Sequence, residues 1–107
     1  MTSYNERDMR YDEAARKGYS EIMKIASASP YPHKGNGKQY VDFEIGSAGC
    51  KVPKVRVLVD FRGEYFSSFF LDTMLPIATT SPIRNIIHLS AQEAYDYIIS
   101  KANQLNS

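Results

Sequence analysis

Apolar and polar positions alternate most clearly in two stretches, residues 40–45 and 54–62, which flank a Gly-Ser-Ala-Gly segment. The apolar members are Val41, Phe43 and Ile45 in the first stretch and Val55, Val57, Val59 and Phe61 in the second. Period-two patterning of β-branched and aromatic residues is typical of half-buried strands. Gly46 and Gly49 permit the positive φ that a turn between them needs. The pattern therefore predicts a β-hairpin.

The charges of the hairpin predict its register. In one alignment, apolar residues face each other on one side of the ladder and opposite charges face each other on the other side. The pairs are Val41 with Val57, Phe43 with Val55, Asp42 with Arg56 and Glu44 with Lys54. Opposite charges across a ladder contribute roughly 0.2–1 kcal/mol each, whereas a slip of one residue would bury them. A shift of two residues is the alternative, because every side chain would stay on the same face of the sheet and only the charge pairs would be lost.

Two stretches with helical periodicity lie on either side of this hairpin. The apolar stripe of the first contains Tyr11, Ala15, Gly18, Ile22, Ile25 and Ala26, and that of the second contains Ala91, Ala94, Tyr95, Ile98, Ala102 and Leu105. The spacing predicts a helix from about residue 5 to residue 27 and another near the C-terminus. Ser3 with Glu6, and Ser90 with Glu93, have the spacing of a capping box.

The segment between the hairpin and the second helix contains two further predicted strands. Residues 65–71 are rich in phenylalanine, which favours a third strand with Phe66 and Phe70 on one face and Phe69 on the other. A short helix is the alternative, because these three residues also lie at helical spacing. Residues 84–89 predict a fourth strand, and residues 72–82, with two prolines, predict an irregular connection.

The order helix, four strands, helix predicts an α+β fold. The four strands form an antiparallel, mostly meander sheet, and the N-terminal and C-terminal helices cover one of its faces in a two-layer sandwich. A length of 107 residues suits a single domain spanning residues 1–107. The second face of the sheet is then left for solvent or for contact with another molecule.

Composition narrows the functional classes. The net charge of +1 supplies no overall field that would attract nucleic acid or an anionic membrane. No apolar run approaches the roughly 20 residues that a membrane span needs, and the N-terminus lacks the apolar core of a signal peptide. The single cysteine, Cys50, excludes an internal disulfide and fits a reducing compartment. We therefore expect a cytoplasmic protein with no membrane partner.

The residues that could perform catalysis are scattered along the chain. His33, Cys50 and His88 lie in different kinds of segment, without the paired spacing of a metal site or the local motif of a nucleophile. The carboxylates of the hairpin have basic neighbours, so solvated ion pairs are their expected role. We expect no catalytic residues, no metal site and no cofactor, and hence a protein that is not an enzyme.

One loop has the composition of an anion site. Residues 29–39 are predicted to be a loop, and residues 31–39 contain two lysines, one histidine and no acid. Glycines leave backbone amides free to bind an anion, and the flanking tyrosines can stack on a base. The candidate phosphate-binding residues are Tyr31, His33, Lys34, Gly35, Asn36, Gly37, Lys38 and Tyr40. A solvated turn without a ligand is the alternative, because motifs this short are weakly specific.

The aromatic residues indicate a contact surface. A third strand with large apolar residues on both faces cannot leave both faces in water, so another part of the chain or a partner must cover the second face. The candidate interface residues are Leu58, Tyr65, Phe66 and Phe70. We expect a small non-enzymatic binding protein of the inhibitor, immunity or accessory-factor type, with a homodimer as one form of it. The alternative is a module that binds a small ligand or nucleic-acid phosphate through the loop from Tyr31 to Tyr40.

Overall fold

The computed structural model describes residues 6–47, 49–60, 65–71, 75–76 and 87–107. Their helices and strands, in chain order, are α1 (Glu6–Ala28), β1 (His33–Gly35), β2 (Tyr40–Glu44), β3 (Lys54–Val59), β4 (Phe66–Phe70), β5 (Leu75–Pro76) and α2 (Ala91–Asn106). The capping box predicted at Ser3 lies outside the described residues. The predicted order of a helix, a run of antiparallel strands and a second helix is confirmed.

The strands form one antiparallel sheet in the order of the chain, so the predicted meander is confirmed. α1 contacts β2 and β3, α2 contacts β3 and β4, and the two helices contact each other. Alternate strand residues are buried on that side: Val41, Phe43, Val55, Val57, Val59, Phe66 and Phe70. Both helices therefore cover the same face, and the fold is a two-layer α+β sandwich.

β2 and β3 pair in the register that the charges predict. The observed pairs are Tyr40 with Leu58, Val41 with Val57, Asp42 with Arg56, Phe43 with Val55 and Glu44 with Lys54. Arg56 Nε lies 2.7 Å from Asp42 Oδ1, whereas Lys54 Nζ lies 3.7 Å from Glu44 Oε1 at an exposed site. The first pair is short and well aligned, so it contributes more to the register than the second, solvated pair. The alternative register, shifted by two residues, is excluded.

Residues 66–70 form the predicted third strand, and the helical alternative is wrong. Phe66 and Phe70 are each 2% exposed and face the helices, together with Ser68 at 5%. Ser67 and Phe69 alternate with them and are half-buried on the opposite side. The strand forms because β3 offers a free edge over five of its six residues, from Val55 to Val59.

The helix stripes predicted from periodicity supply the rest of the core. Residues at most 2% exposed are Ile22 and Ala26 in α1 and Ala91, Ala94, Ile98 and Ala102 in α2. Gly18 is also buried, while Ala15 and Ile25 are half-buried. Leu105 is 39% exposed, so the buried stripe of α2 ends one turn before the prediction. The side chain of Tyr11 lies outside the described part of α1.

Both ends of α2 are held by side-chain hydrogen bonds. One half of the predicted capping box is present, since Ser90 Oγ accepts from the Glu93 amide at 3.1 Å. Glu93 Oε2 accepts from the amide of Leu89, one residue before the N-cap, at 2.9 Å. At the other end, the Asn106 side chain both accepts from the amide of Val52 and donates to its carbonyl, each at 2.9 Å. These bonds attach the end of α2 to the connection between β2 and β3.

One edge of the sheet differs from the prediction. A loop over residues 29–39 is wrong for His33–Gly35, which form β1 against β2. The ladder continues at both ends of β1, because the Glu44 amide donates to the Pro32 carbonyl at 2.8 Å and the Asn36 amide donates to the Tyr40 carbonyl at 3.1 Å. Proline, glycine and asparagine have little intrinsic strand preference, so pairing with β2, rather than local sequence, makes this strand.

At the opposite edge of the sheet, β4 is paired in two separate places. β5 pairs with the last two residues of β4, within the segment predicted as irregular, so that prediction is wrong for Leu75 and Pro76. At the other end of β4, His88 forms an isolated antiparallel bridge with Phe66. Of the fourth strand predicted over residues 84–89, the described residues form only this bridge; residues 84–86 lie outside them.

Candidate functional site

No described helix covers the second face of the sheet, which we call the open face. Its strand side chains are Lys34 from β1, Tyr40, Asp42 and Glu44 from β2, Lys54, Arg56 and Leu58 from β3, and Ser67 and Phe69 from β4. All are half-buried or exposed, whereas their neighbours along β2, β3 and β4 are buried. The charged residues come from β1, β2 and β3, and the apolar part of the face is formed by Tyr40, Leu58 and Phe69.

Arg56 stands at the boundary between the charged and apolar parts. Its Nε donates to Asp42 Oδ1 at 2.7 Å and its Nη2 donates to Asp42 Oδ2 at 3.1 Å. Its guanidinium carbon lies 3.7 Å from the centre of the Tyr40 ring. The hydrogen bond to Asp42 raises the pKa of Arg56 above its ordinary value, against a smaller opposing effect of burial. Arg56 is therefore a fixed, neutralised group that supports Tyr40, and it is not a free cation for an anionic ligand.

The apolar part of the open face contains a cavity of about 290 Å³. It is lined by Gln39, Tyr40, Arg56, Leu58, Phe69, Phe70 and Leu71. Small-molecule sites usually enclose roughly 300–1,000 Å³, whereas about 150 Å³ is enough for a benzene ring. The cavity therefore has the size of a site for one large side chain, and it is small for a cofactor or a nucleotide.

The candidate interface residues fall on different faces of the sheet. Leu58 lies on the open face, and Tyr65, which precedes β4, is half-buried. Phe66 and Phe70 are 2% exposed beneath the helices, so neither offers an accessible side chain to a partner, although Phe70 borders the cavity. Phe69 takes their place on the open face. The two-residue periodicity of β4 separates Phe69 from the other two, but it does not indicate which set the helices cover.

The loop between β1 and β2 is organised by one asparagine. Asn36 Oδ1 accepts hydrogen bonds from the amides of Lys38, Gln39 and Tyr40 at 3.0, 2.9 and 3.0 Å. The Gly37 amide donates to Tyr19 Oη of α1 at 2.9 Å. The amides that would cradle a phosphate thus already have acceptors within the protein. An anion site in this loop was predicted on free backbone amides, and the amides of residues 37–40 are not free.

The two glycines of the loop have structural reasons to be there. Gly37 has a φ of +80°, which L-residues with a side chain rarely adopt. Gly35 packs against α1 so closely that an added Cβ would overlap Tyr19 Oη and would lie 3.2 Å from Met23 Sδ. Because Tyr19 Oη is held by the Gly37 amide, the ring cannot move away without breaking that bond. These glycines therefore allow the turn and the close helix contact.

Replacing Asn36 with alanine is expected to lower the free energy of unfolding by about 1–2 kcal/mol, since three amides lose a shared acceptor and only water replaces it. Asn36→Asp keeps an oxygen in the same place and is the matched control, with a smaller expected loss. Urea unfolding followed by circular dichroism measures both. Equal losses for the two variants would show that the shared acceptor does not hold the loop.

The remaining side chains of this loop do not converge on one point. Tyr31 is half-buried, and its amide donates to Ser29 Oγ at 3.2 Å. His33 is exposed at the sheet edge, with its ring centre 6.4 Å from that of Phe43. Lys34 lies on the open face, whereas Lys38 lines a groove of about 730 Å³ between α1 and one end of the sheet. The structure therefore separates the two lysines between different surfaces.

A buried polar pair connects β4 with the chain just before α2. Ser68 Oγ lies 2.8 Å from His88 Nε2, and the two residues are 5% and 6% exposed. Burial lowers the pKa of His88, which Glu93 opposes to a smaller extent, and burial also raises the pKa of Tyr97, whose ring centre lies 5.1 Å from that of His88. Serine beside histidine has the chemistry of a nucleophile and its base. Here both side chains are buried, which leaves no room for a substrate. We interpret their hydrogen bond as structural, because each provides a polar partner for the other in the core.

The other groups considered for chemistry have ordinary surroundings. Cys50 is half-buried in the connection between β2 and β3, with Sγ 3.8 Å from Ser47 Oγ. The described residues contain no group of three or more histidine, cysteine or carboxylate side chains placed to hold a metal ion. Within the same residues, every buried side-chain nitrogen and oxygen has a hydrogen-bond partner. The described core thus has no unpaired polar group that a ligand would complete.

Neither described helix combines the length and apolar character needed to cross a bilayer. Comparison of the chain with models of known protein families, with curated proteins and with solved structures gave no match.

Proposed function

We propose that this chain is a small non-enzymatic binding protein that contacts another protein through its open face. The observation that carries the proposal is the apolar part of that face, where Tyr40, Leu58 and Phe69 line a cavity of about 290 Å³. Binding energy in protein interfaces concentrates in aromatic residues and arginine at well-packed central positions. Tyr40 with Arg56 stacked upon it is a rigid pair of this kind, because Asp42 fixes the guanidinium.

The charged groups beside the cavity also suit a contact surface. Asp42 and Glu44 are paired with Arg56 and Lys54, so a partner meets few unpaired carboxylates over β2 and β3. An inhibitor, an immunity protein or an accessory factor is the type of protein that would act through such a face. The single free cysteine supports a reducing compartment, and we place the protein in the cytoplasm.

The alternative, phosphate binding by the loop from Tyr31 to Tyr40, has less support. Asn36 and Tyr19 already accept hydrogen bonds from the amides of residues 37–40, so an anion there would depend mainly on the lysine side chains. Two exposed lysines on different surfaces are a weaker basis for a specific site than a ring of amides.

The test introduces an acid at the centre of the face. Leu58→Asp is expected to abolish the capture of protein partners that the wild-type chain retains from a lysate of its host, because a buried, unpaired carboxylate opposes docking. Ser20→Asp adds the same charge on the exposed side of α1 and is expected to retain them. Quantitative mass spectrometry of the captured proteins measures the difference. Circular dichroism confirms that Leu58→Asp is folded, and Phe69→Thr provides a second, uncharged change.

The native mass decides whether the partner is a second copy. Light scattering during size-exclusion chromatography would show a dimer for the wild-type chain and a monomer for Leu58→Asp if the open face joins two copies. A monomer in both cases directs the search to a different protein. Capture of the same proteins by the wild-type, Leu58→Asp and Phe69→Thr chains, with no change in mass, would refute the role of the open face.

A further inference from the structure

The cavity on the open face and the basic β1–β2 hairpin lie beside each other in the sheet. The register places Lys34, Asp42, Arg56 and Phe69 in one row across four neighbouring strands. One end of the row carries a lysine and the other end forms a wall of the cavity. Resting on the proposed function, we infer that the open face binds a short acidic segment of a partner protein, with one large apolar side chain of that segment in the cavity.

The size of the cavity selects a single side chain. At about 290 Å³ it has room for one phenylalanine, leucine or tyrosine side chain, since about 150 Å³ already accommodates a benzene ring. Its walls are fixed before binding: Arg56 holds Tyr40 on one side, and Leu58 and Phe69 lie on adjacent strands. A preformed pocket reduces the cost of ordering the site when an anchor residue enters.

The area of the face argues against a second folded copy as the occupant. β2, β3 and β4 are five to six residues long, whereas β1 has three residues and β5 has two. With strands about 4.8 Å apart and about 3.4 Å per residue, the sheet presents a projected area of roughly 350 Å². A stable interface between two folded proteins buries about 800 Å² on each partner. The face offers about half of that, which suits a short segment that places one anchor in a pocket.

Charge determines the character of the segment. The carboxylates of the open face, Asp42 and Glu44, already bind Arg56 and Lys54. Lys34 and Lys38 are exposed, and neither forms an ion pair within the described part of the chain. Lys34 lies on the open face itself, whereas Lys38 lines the neighbouring groove, which shares two lining residues with the cavity. Residues 31–39 contain no acid that could neutralise them. The surplus charge beside the cavity is therefore positive, and acidic residues next to the anchor would complement it.

A library of random twelve-residue peptides displayed on phage and selected on the wild-type chain tests this inference. The selected peptides are expected to share one large apolar residue flanked by aspartate or glutamate. A synthetic peptide of the selected sequence, labelled with a fluorophore, would then be titrated by anisotropy. Its affinity is expected to fall with added salt, because exposed ion pairs are screened.

Four variants distinguish the contribution of the apolar anchor from that of the charges. Lys34→Glu with Lys38→Glu is expected to weaken the peptide about tenfold, because each exposed pair changes from attraction to repulsion. Lys17→Glu with Lys24→Glu makes the same charge change on exposed positions of α1 and is expected to leave the affinity unchanged. Leu58→Asp is expected to remove binding, and Phe69→Thr serves as the second cavity variant if the aspartate prevents folding.

The inference is overturned if the library yields no shared motif, if the motif is basic or lacks an apolar anchor, or if the cavity variants bind the peptide as well as the wild-type chain does. Should those results occur while capture of a host protein still depends on Leu58, the open face binds a folded partner and only the peptide inference fails. If capture is independent of Leu58 as well, both proposals fail.

Discussion

Replacing Phe70 with alanine is expected to lower the free energy of unfolding by about 3–5 kcal/mol, the usual cost of removing a buried aromatic ring. Phe69→Ala, one residue earlier, is expected to cost less than about half as much, because part of that ring is already in contact with water. Phe70 is 2% exposed beneath the helices, whereas Phe69 is half-buried on the open face. For a domain whose stability is about 5–15 kcal/mol, the first change is severe.

Urea unfolding of the two variants, followed by circular dichroism, measures this difference between adjacent residues of the same type. Phe43→Ala is the control for the buried face, because Phe43 is 0% exposed and its ring centre lies 5.1 Å from that of Tyr95. Its cost is expected to match that of Phe70→Ala. Equal costs at Phe69 and Phe70 would contradict the assignment of the two faces of β4, and with it the position of the candidate site.

The free energy of unfolding is expected to decrease as pH falls from about 7.5 to about 5.5, with His88 as the cause. Burial lowers the pKa of His88 below its ordinary value of 6.5, and Glu93 only partly opposes this. The unfolded chain therefore binds a proton on His88 at a pH where the folded chain does not, so acid favours unfolding. The stabilisation is complete above the unfolded pKa and is lost progressively as pH falls towards the lower folded pKa.

Urea unfolding at a series of pH values measures this dependence. His88→Gln is expected to flatten the curve over this range, whereas His33→Gln, on the exposed edge strand, is expected to keep its slope. At pH 8, Ser68→Ala is expected to cost about 1–3 kcal/mol, because the buried imidazole loses its hydrogen-bond partner. An unchanged slope in His88→Gln would show that another group carries the pH dependence.

The parts of the fold that were predictable from sequence have local causes. The register of β2 on β3 follows from charges and branched side chains that lie within one hairpin, such as Asp42 and Arg56. The start of α2 follows from Ser90 and Glu93, three residues apart. In each case the residues that determine the structure are close in sequence, so their spacing contains the information.

The parts that were not predictable depend on contacts between distant residues. β1 exists because Gly35 lets α1 approach through Tyr19 and because β2 offers its free edge. Likewise, the periodicity of β4 separates its residues into two sets, but only the docking of the helices decides that Phe69 belongs to the candidate site. The pairing of Ser68 with His88 spans twenty residues and has no sequence signature.

The contact between α2 and the sheet determines when the core can close during synthesis. β2, β3 and β4 precede α2 in the chain, so α2 cannot cover β3 and β4 until residues 91–106 have left the ribosome. The bonds from Asn106 to Val52 form only with the last residue of that helix. Apolar surface that stays uncovered on a nascent chain attracts chaperones and promotes aggregation. A chain stalled before α2 would therefore display the helix side of its sheet to the cell.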